Sequence, residues 1–446
     1  MDYQSFKQAV IAEAAALGLT DYELYYQSGE DTSVGAFGHE INEFSASEGG
    51  GICFRCIVNG KMGYASTEAL NESEARAIVR RASDNASVLE SKEEVFLCEG
   101  GLTYAPLNRE SYDLPATEEL IRITLETQEK LYASNPAVID GCQTQGIAER
   151  SRIAIYNSRG LDLTYENTLT GLVVASVVSG DGEMANDYQI KLDKLDAIDT
   201  DALTKKATDG ALGKLGGEVA PTGQYPVIFN SEAMSDLLAT FSGIFSSENA
   251  QKGLSRLVEG DMVASEAVTL VDDPFHPENP SPRNFDAEGC PTYCKNVIEK
   301  GKLNTLLYNL KTAAVAGKET TGNASKAGYD APVAIQPFTM YLANGEYTPE
   351  QLLQKADSGV YITSLEGLHA GANPVSGDFS LQSAGFMIEN GRKTTAVKSF
   401  TVAGNFYQVL KRITAAANNS HLPMAMGKTA FGAPDVLVEG LSIAGK

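Results

Sequence analysis

Two carboxylates four residues apart, Glu232 and Asp236, are the first residues in this sequence whose type and spacing could do chemistry. At about 100° per residue they share one face of a helix, opposite an apolar stripe of Met234, Leu237, Leu238, Phe241, Ile244 and Phe245. Such a pair costs roughly 0.2–0.5 kcal/mol in mutual repulsion unless water or a cation screens it. A bridging cation would be hard, Mg²⁺ or Mn²⁺, because the ligands are oxygen. Two carboxylates alone do not define such a site, and a solvated polar face is the favoured reading of them. The four histidines offer no alternative. A helical zinc-peptidase signature places two histidines on one face with a glutamate beside the first. His39-Glu40 starts in that way, but Glu43 and Phe44 occupy the positions for the second histidine, so it reads as a dipeptide in a turn. His276, His369 and His421 are each isolated in loop-like sequence.

The cysteines are also weak ligands by spacing. Cys53 and Cys56 lie three apart in a β-prone run, where they point to opposite faces, and Cys290 and Cys294 are spaced one residue wider. Buried, inert thiols fit better than one four-cysteine zinc site. No phosphate-cradling glycine loop with its lysine and no GxSxG elbow occurs, which leaves nucleotide hydrolysis and common serine-hydrolase chemistry without support.

The elements that must position the carboxylate pair follow from periodicity. Tyr225 to Phe229 is a buried-strand pattern, Asn230 a good N-cap, and a helix over 231–245 begins there. Upstream, helices are expected over 3–17, 72–88, 117–133 (with Ile121, Leu125, Leu131 and Tyr132 inward) and 201–215. Short strands are expected over 23–27, 51–58 and 62–66, the last two joined by an Asn59-Gly60 hairpin. A meander over 138–190 turns at Asn157-Ser158-Arg159-Gly160 and Ser179-Gly180-Asp181-Gly182. Helix plus meander, twice over, predicts an α+β domain of helices on antiparallel sheet. Gly216-Gly217 and Pro221-Thr222-Gly223 place a boundary near 219, giving domains over 1–218 and 219–446. Beyond it, glycine, proline and asparagine punctuate short strands, which predicts a mainly antiparallel β sandwich or barrel-like domain. Helices at 231–245, 306–316 and 349–356 are the exceptions.

With 446 residues, one core is not enough and two domains are expected. The 58 acidic against 35 basic side chains give a net charge of −23, which repels phosphate backbones and anionic membranes, so no direct nucleic acid and no membrane contact is expected. Without an apolar run near the ~20 residues a span needs, without a leader-like N-terminus, and with six sparse cysteines, the expectation is a reduced, cytoplasmic protein.

A resemblance extends over essentially the whole chain. Gly49-Gly50-Gly51-Ile52, Arg55 and Gly60-Lys61-Met62-Gly63-Tyr64-Ala65 come first. Val268-Thr269-Leu270-Val271-Asp272-Asp273-Pro274, Phe285-Asp286-Ala287-Glu288-Gly289, Thr321-Gly322-Asn323-Ala324, Ser376-Gly377-Asp378-Phe379-Ser380, Ile388-Glu389-Asn390-Gly391 and Ala403-Gly404-Asn405 follow. In this order they resemble the TldD/PmbA family, and within it the PmbA/TldE branch. In the TldD branch a helix after a strand carries His-Glu-x-x-x-His, and a Cys-Gly-Lys cysteine completes a zinc site. The resemblance places Ser231, Asp236 and Met426 at the three ligand positions, so the zinc site is degenerate here, and Glu232 at the general-base position as a remnant. An i,i+5 spacing puts two ligand positions about 140° apart on a regular helix, so this match comes from the resemblance and not from periodicity.

The resemblance implies a non-catalytic subunit with no cofactor of its own, paired as a heterodimer with a TldD-like subunit that holds the zinc. The pair would be a cytosolic metallopeptidase acting on peptides: leader removal from modified peptides, or degradation of unfolded or antitoxin-like ones. The isolated chain could pair with itself as a homodimer. An extended peptide could add to a sheet edge, with Ser376, Gly377, Asp378, Phe379, Ser380, Asn390 and Gly391 as the contact, although turn chemistry explains those residues equally. Two alternatives stay open: an independent metal-dependent peptidase using Glu232 and Asp236, and a regulatory protein binding DNA gyrase.

Overall fold

Four amphipathic helices need a sheet to cover, and the first half supplies one of unusual reach. The structure is a computed structural model that describes residues 1–90, 93–107, 112–426 and 429–446, with side chains except those of 423–426. Strands β1 (Tyr22–Phe37), β2 (Glu40–Val58), β3 (Lys61–Thr67), β4 (Gln143–Asn157), β5 (Asp162–Gly180) and β6 (Glu183–Leu192) form one antiparallel sheet in the order β3-β2-β1-β4-β5-β6. Helices α1 (Tyr3–Ala16), α2 (Glu72–Val88), α3 (Thr117–Ala133) and α4 (Thr200–Leu212) cover one face. The Asn59-Gly60 turn joins β2 to β3 with φ of 52° and 74°, as that dipeptide's tolerance of positive φ requires.

Two expectations for this half need correction. The strands expected over 23–27 and 51–58 are the inner ends of β1 and β2, which run on to Phe37 and back from Glu40. The outer stretch is polar and glycine-rich, so hydrophobic alternation does not mark it, and pairing from Ser28↔Gly50 to Phe37↔Glu40 holds it instead. In α3 the buried face is Leu120, Thr124, Thr127, Gln128 and Leu131, whereas Ile121, Leu125 and Tyr132 are only half-buried. A polar stripe is tolerable there because its groups are bonded. The Gln128 amide donates to the carbonyls of Gly38 and Cys142 and accepts from Thr144.

The opposite face of the first sheet docks on the second half. Pairing puts Tyr25, Cys53 and Ile155 side by side on that face, where they pack with Phe285, Ala287 and Ala324. A buried ion pair lies on the same face, from Arg55 Nε to Glu23 Oε1 at 2.8 Å.

The second half holds two mixed sheets. A seven-stranded one runs Ile413–Ala416, Val436–Ala444, Gly223–Phe229, Gly359–Glu366, Asp378–Glu389, Arg392–Asn405, Glu218–Val219. A six-stranded one runs Lys302–Leu303, Lys295–Glu299, Leu270–Asp272, Thr339–Leu342, Thr429–Ala433, His421–Met426. Most neighbours are antiparallel. Gly223–Phe229 with Gly359–Glu366, Thr339–Leu342 with Thr429–Ala433, and Arg392–Asn405 with Glu218–Val219 are parallel. Helix α5 (Ser231–Phe241) packs against strands of both sheets, and its Met234, Leu237, Leu238 and Phe241 are fully buried. The fold is α+β with antiparallel sheets. The helix expected over 306–316 starts at Leu310, where Asn309 and Thr312 form a capping box. Among the described residues no helix is long and apolar enough to cross a membrane.

Candidate functional site

The strand Gly223–Phe229 lies inside its sheet, between Val436–Ala444 and Gly359–Glu366, so it holds the start of α5 in a fixed place. Asn230 then caps the helix by accepting from the Ala233 amide at 2.8 Å, while its own N–H donates to Ile362 O. The helix is buried on nearly every side. Glu232, Asp236 and Thr240 form the half-exposed strip, opposite the apolar stripe as the 3.6-residue period predicts.

Ser231 is buried, and its polar groups are engaged. Its hydroxyl lies 3.0 Å from His421 Nδ1, and its amide donates to Asp435 Oδ1 at 3.0 Å. Asp435 also accepts from Asn419 at 3.0 Å and from the Tyr361 hydroxyl at 2.8 Å. Burial, then the Asp435 charge, pushes the Tyr361 phenol far above its usual range. His421 is therefore not an isolated loop residue. It sits in the edge strand His421–Met426, 190 residues along the chain from Ser231, and only the topology brings the two together.

The two carboxylates differ in environment. Glu232 is met by Lys206 of α4 at 2.9 Å in a solvent-accessible ion pair. Asp236 is more deeply placed, and no hydrogen-bond donor reaches its carboxylate among the described residues. Burial first, and then the charge of Glu232, pushes its pKa up to about 7. The side chains of Asp236, Asp187 and Glu232 in turn add to the burial that raises Tyr188 of β6. A cleft of about 360 Å³ opens beside Glu232, lined by Asp187, Lys206, Asn230, Thr363 and Phe386 among others. A larger groove, about 800 Å³, runs between Ile190 and Leu192 of β6, the loop at Pro277 and Pro282, and Leu422.

A zinc ion takes imidazole, thiolate or carboxylate ligands, usually four in a tetrahedron with water. Ser231 offers a neutral hydroxyl already bonded to His421, and Asp236 a single carboxyl whose pKa burial raises to about 7. This donor set does not fit a zinc centre. No group of three or more His, Cys, Asp or Glu side chains placed to hold a metal occurs among the described residues. Met426 ends the strand His421–Met426, its side chain lies outside those described, and Gly427 and Lys428 lie outside the described residues.

The residues expected to meet a peptide do not form one surface. Ser376 to Ser380 sit at one end of the hairpin of strands Asp378–Glu389 and Arg392–Asn405, and Asn390-Gly391 make its turn at the other. With about 3.3 Å per residue, that separates them by over 30 Å. Their bonds are those of turns and caps. Asn405 donates to Ser376 O at 2.9 Å and to Asp378 Oδ1 at 2.8 Å. Gly377, with φ of 83°, lies against the Tyr407 ring, and Phe379 is buried against Phe241. Asn390 and Gly391 take φ of 51° and 69°. The strand Asp378–Glu389 also has neighbours on both sides, which leaves little edge for a peptide.

A helix launched from an interior strand thus presents its first turn to a histidine-bearing edge strand and to a cleft lined from both halves. Three family models match in series: PmbA/TldA metallopeptidase domain 1 over residues 22–86, the central domain over 111–215 and the C-terminal domain over 222–445. The chain belongs to the PmbA/TldD family. Among solved structures, a Thermotoga maritima protein described as a modulator of a DNA gyrase matches with a TM-score of 0.89 and 29% identity, over 99% of this chain and 100% of the other. TldE from Thermococcus kodakarensis shares the fold, with a TM-score of 0.88 and 21% identity over 98% and 99% of the two chains. A metalloprotease of Archaeoglobus fulgidus is 25% identical over 81% of this chain and 83% of its own.

Proposed function

We propose that this chain is the zinc-free, non-catalytic subunit of a two-chain cytoplasmic metallopeptidase that acts on peptides, with the zinc held by a TldD-like partner. One observation carries the reading. The position that the family resemblance assigns to a ligating histidine is Ser231, whose hydroxyl is bonded to His421, while the adjacent Glu232 is paired with Lys206. A general base with no metal-bound water beside it has nothing to activate. Peptide contact then falls to β6, which among the described residues pairs only with β5 and has its outer edge open beside the larger groove. Met184, Tyr188 and Ile190 stand exposed at alternate positions along it, an arrangement suited to an added strand.

The purified chain should cleave no unfolded peptide, with or without Zn²⁺, Mg²⁺ or Mn²⁺, whereas its co-purified complex with a chain carrying His-Glu-x-x-x-His should cleave it. Glu232→Ala should assemble and leave the complex within about twofold of its activity. Loss of activity with assembly intact would overturn the remnant role of Glu232. A second reading, an independent acid–base peptidase, has one observation in its favour, the Asp236 carboxyl pushed up to about 7. It predicts cleavage by the lone chain that rises or falls through pH 7 and disappears in Asp236→Asn.

A further inference from the structure

Cys290 was grouped by spacing with Cys294, yet its spatial neighbour is Cys98, 192 residues away, with the two sulfurs 3.0 Å apart. Both side chains are buried, against Leu161, Leu163 and Leu310. Cys98 belongs to a strap around residues 97–107 that leaves the first half and lies across the second. The strap is held at several points. Asn157 donates to Cys98 O at 2.8 Å, the Gly100 amide donates to Arg159 O at 2.9 Å, the Tyr104 hydroxyl donates to Gly289 O at 2.8 Å, and Asn284 donates to Ala105 O at 2.9 Å. Cys290 is fixed equally well, by the Cys290 amide donating to Asp286 Oδ1 and the Asp286 amide donating to Cys290 O, both at 2.9 Å. Two sulfurs closer than ordinary contact, each on backbone that is bonded in place, meet the proximity that thiol–disulfide chemistry needs.

We propose that Cys98 and Cys290 form an oxidisable dithiol, a site where a peroxide converts two thiols to a disulfide that ties the strap to the 286–290 turn. One sulfur attacks the peroxide O–O bond, giving a sulfenic acid and one water. The second sulfur then displaces a second water as the S–S bond forms. Overall, two thiols and one hydrogen peroxide yield one disulfide and two waters. Access is limited but not deep, because Glu99, Gly101, Leu102 and Thr103 beside Cys98 are all exposed. For Cys290 the neighbouring sulfur above all, and then burial, raises the thiol, so its oxidation should be slow against an exposed cysteine. Among the described residues Cys53, Cys56 and Cys142 have no such partner, each packing in a different apolar cluster.

The test uses the full chain, incubated with hydrogen peroxide or with a phosphine reductant, denatured in excess alkylating agent, digested and weighed. A peptide pair joined through Cys98 and Cys290, two hydrogens lighter than the sum of its parts, should appear only after peroxide and vanish on reduction. Because the bond closes a long loop across both halves, the oxidised protein should melt about 5 °C higher than the reduced one. Cys98→Ser and Cys290→Ser should each abolish that shift, and Cys294→Ser, at the exposed cysteine, should retain it. Free thiols after peroxide, or sulfinic acid on either cysteine without the linked pair, would overturn the proposal. The mass measurement on the unaltered chain decides the matter even if a serine variant fails to fold.

Discussion

Asp236 is the residue whose chemistry departs furthest from what its sequence position suggests. Its polar helical face was legible from the 3.6-residue period, but its desolvation was not, nor was the approach of Tyr188 of β6, which feels the Asp236 charge from a different sheet. A carboxyl near 3.9 in the unfolded chain and about 7 in the folded one binds its proton more tightly when folded. It therefore imposes no penalty below about pH 4, costs increasing stability as pH rises from there to about 7, and costs a constant amount above. Asp236→Asn removes that penalty. Urea unfolding should show the variant close to wild type at pH 4.5 and more stable by about 1–2 kcal/mol at pH 8, discounted for the partial solvent access of the carboxyl. A gain that does not grow with pH would place the effect elsewhere. Ser231, Lys206, His421 and Asp435 were not legible as a group, because nothing in the local pattern of any one of them refers to the others.

At the scale of elements, periodicity succeeds where one apolar face meets one core and fails where polar groups are buried in pairs. Helices α1, α2, α4 and α5 start and stop within a few residues of their expected limits. Helix α3 misleads because Thr124, Thr127 and Gln128 occupy its buried face, and the outer halves of β1 and β2 because their pairing is polar. The strap at 97–107 has no periodicity to read. Gly63 in β3 shows an element contact that the motif Gly60-Lys61-Met62-Gly63-Tyr64-Ala65 carried without explaining. A Cβ there would come within clashing distance of the Ala82 carbonyl and 2.6 Å from the Ala86 nitrogen, both in α2. Helix and strand are thus in direct backbone contact. Gly63→Ala should destabilise the chain by about 2–3 kcal/mol, seen as a lower urea midpoint with unchanged slope, since the helix must shift outward to accept the methyl group. Gly60→Ala meets no neighbouring atom and is instead strained by its φ of 74°, so its cost should be about 1 kcal/mol.

The whole molecule is held by a sheet used on both faces, with helices on one and the second half on the other. Arg55 stands at the centre of that second contact. Its guanidinium bonds Glu23 across β1 and β2 and faces Glu288 of the second half, whose own carboxylate accepts from the Leu310 amide at 2.9 Å. Burial works to raise Glu288, and the Arg55 charge works against it. Removing one partner from a buried ion group is far costlier than removing all of it, because the remaining charges keep their desolvation penalty. Arg55→Ala should therefore cost about 3–5 kcal/mol in unfolding experiments near pH 7.5. Most of that cost is two stranded carboxylates, which can escape it by taking up protons. The deficit should accordingly shrink when the same comparison is made at pH 5, and shrink again at pH 7.5 when Glu23→Gln is combined with Arg55→Ala. If the deficit is the same at both pH values, the arginine acts through packing of its stem, and the ion group does not join the halves.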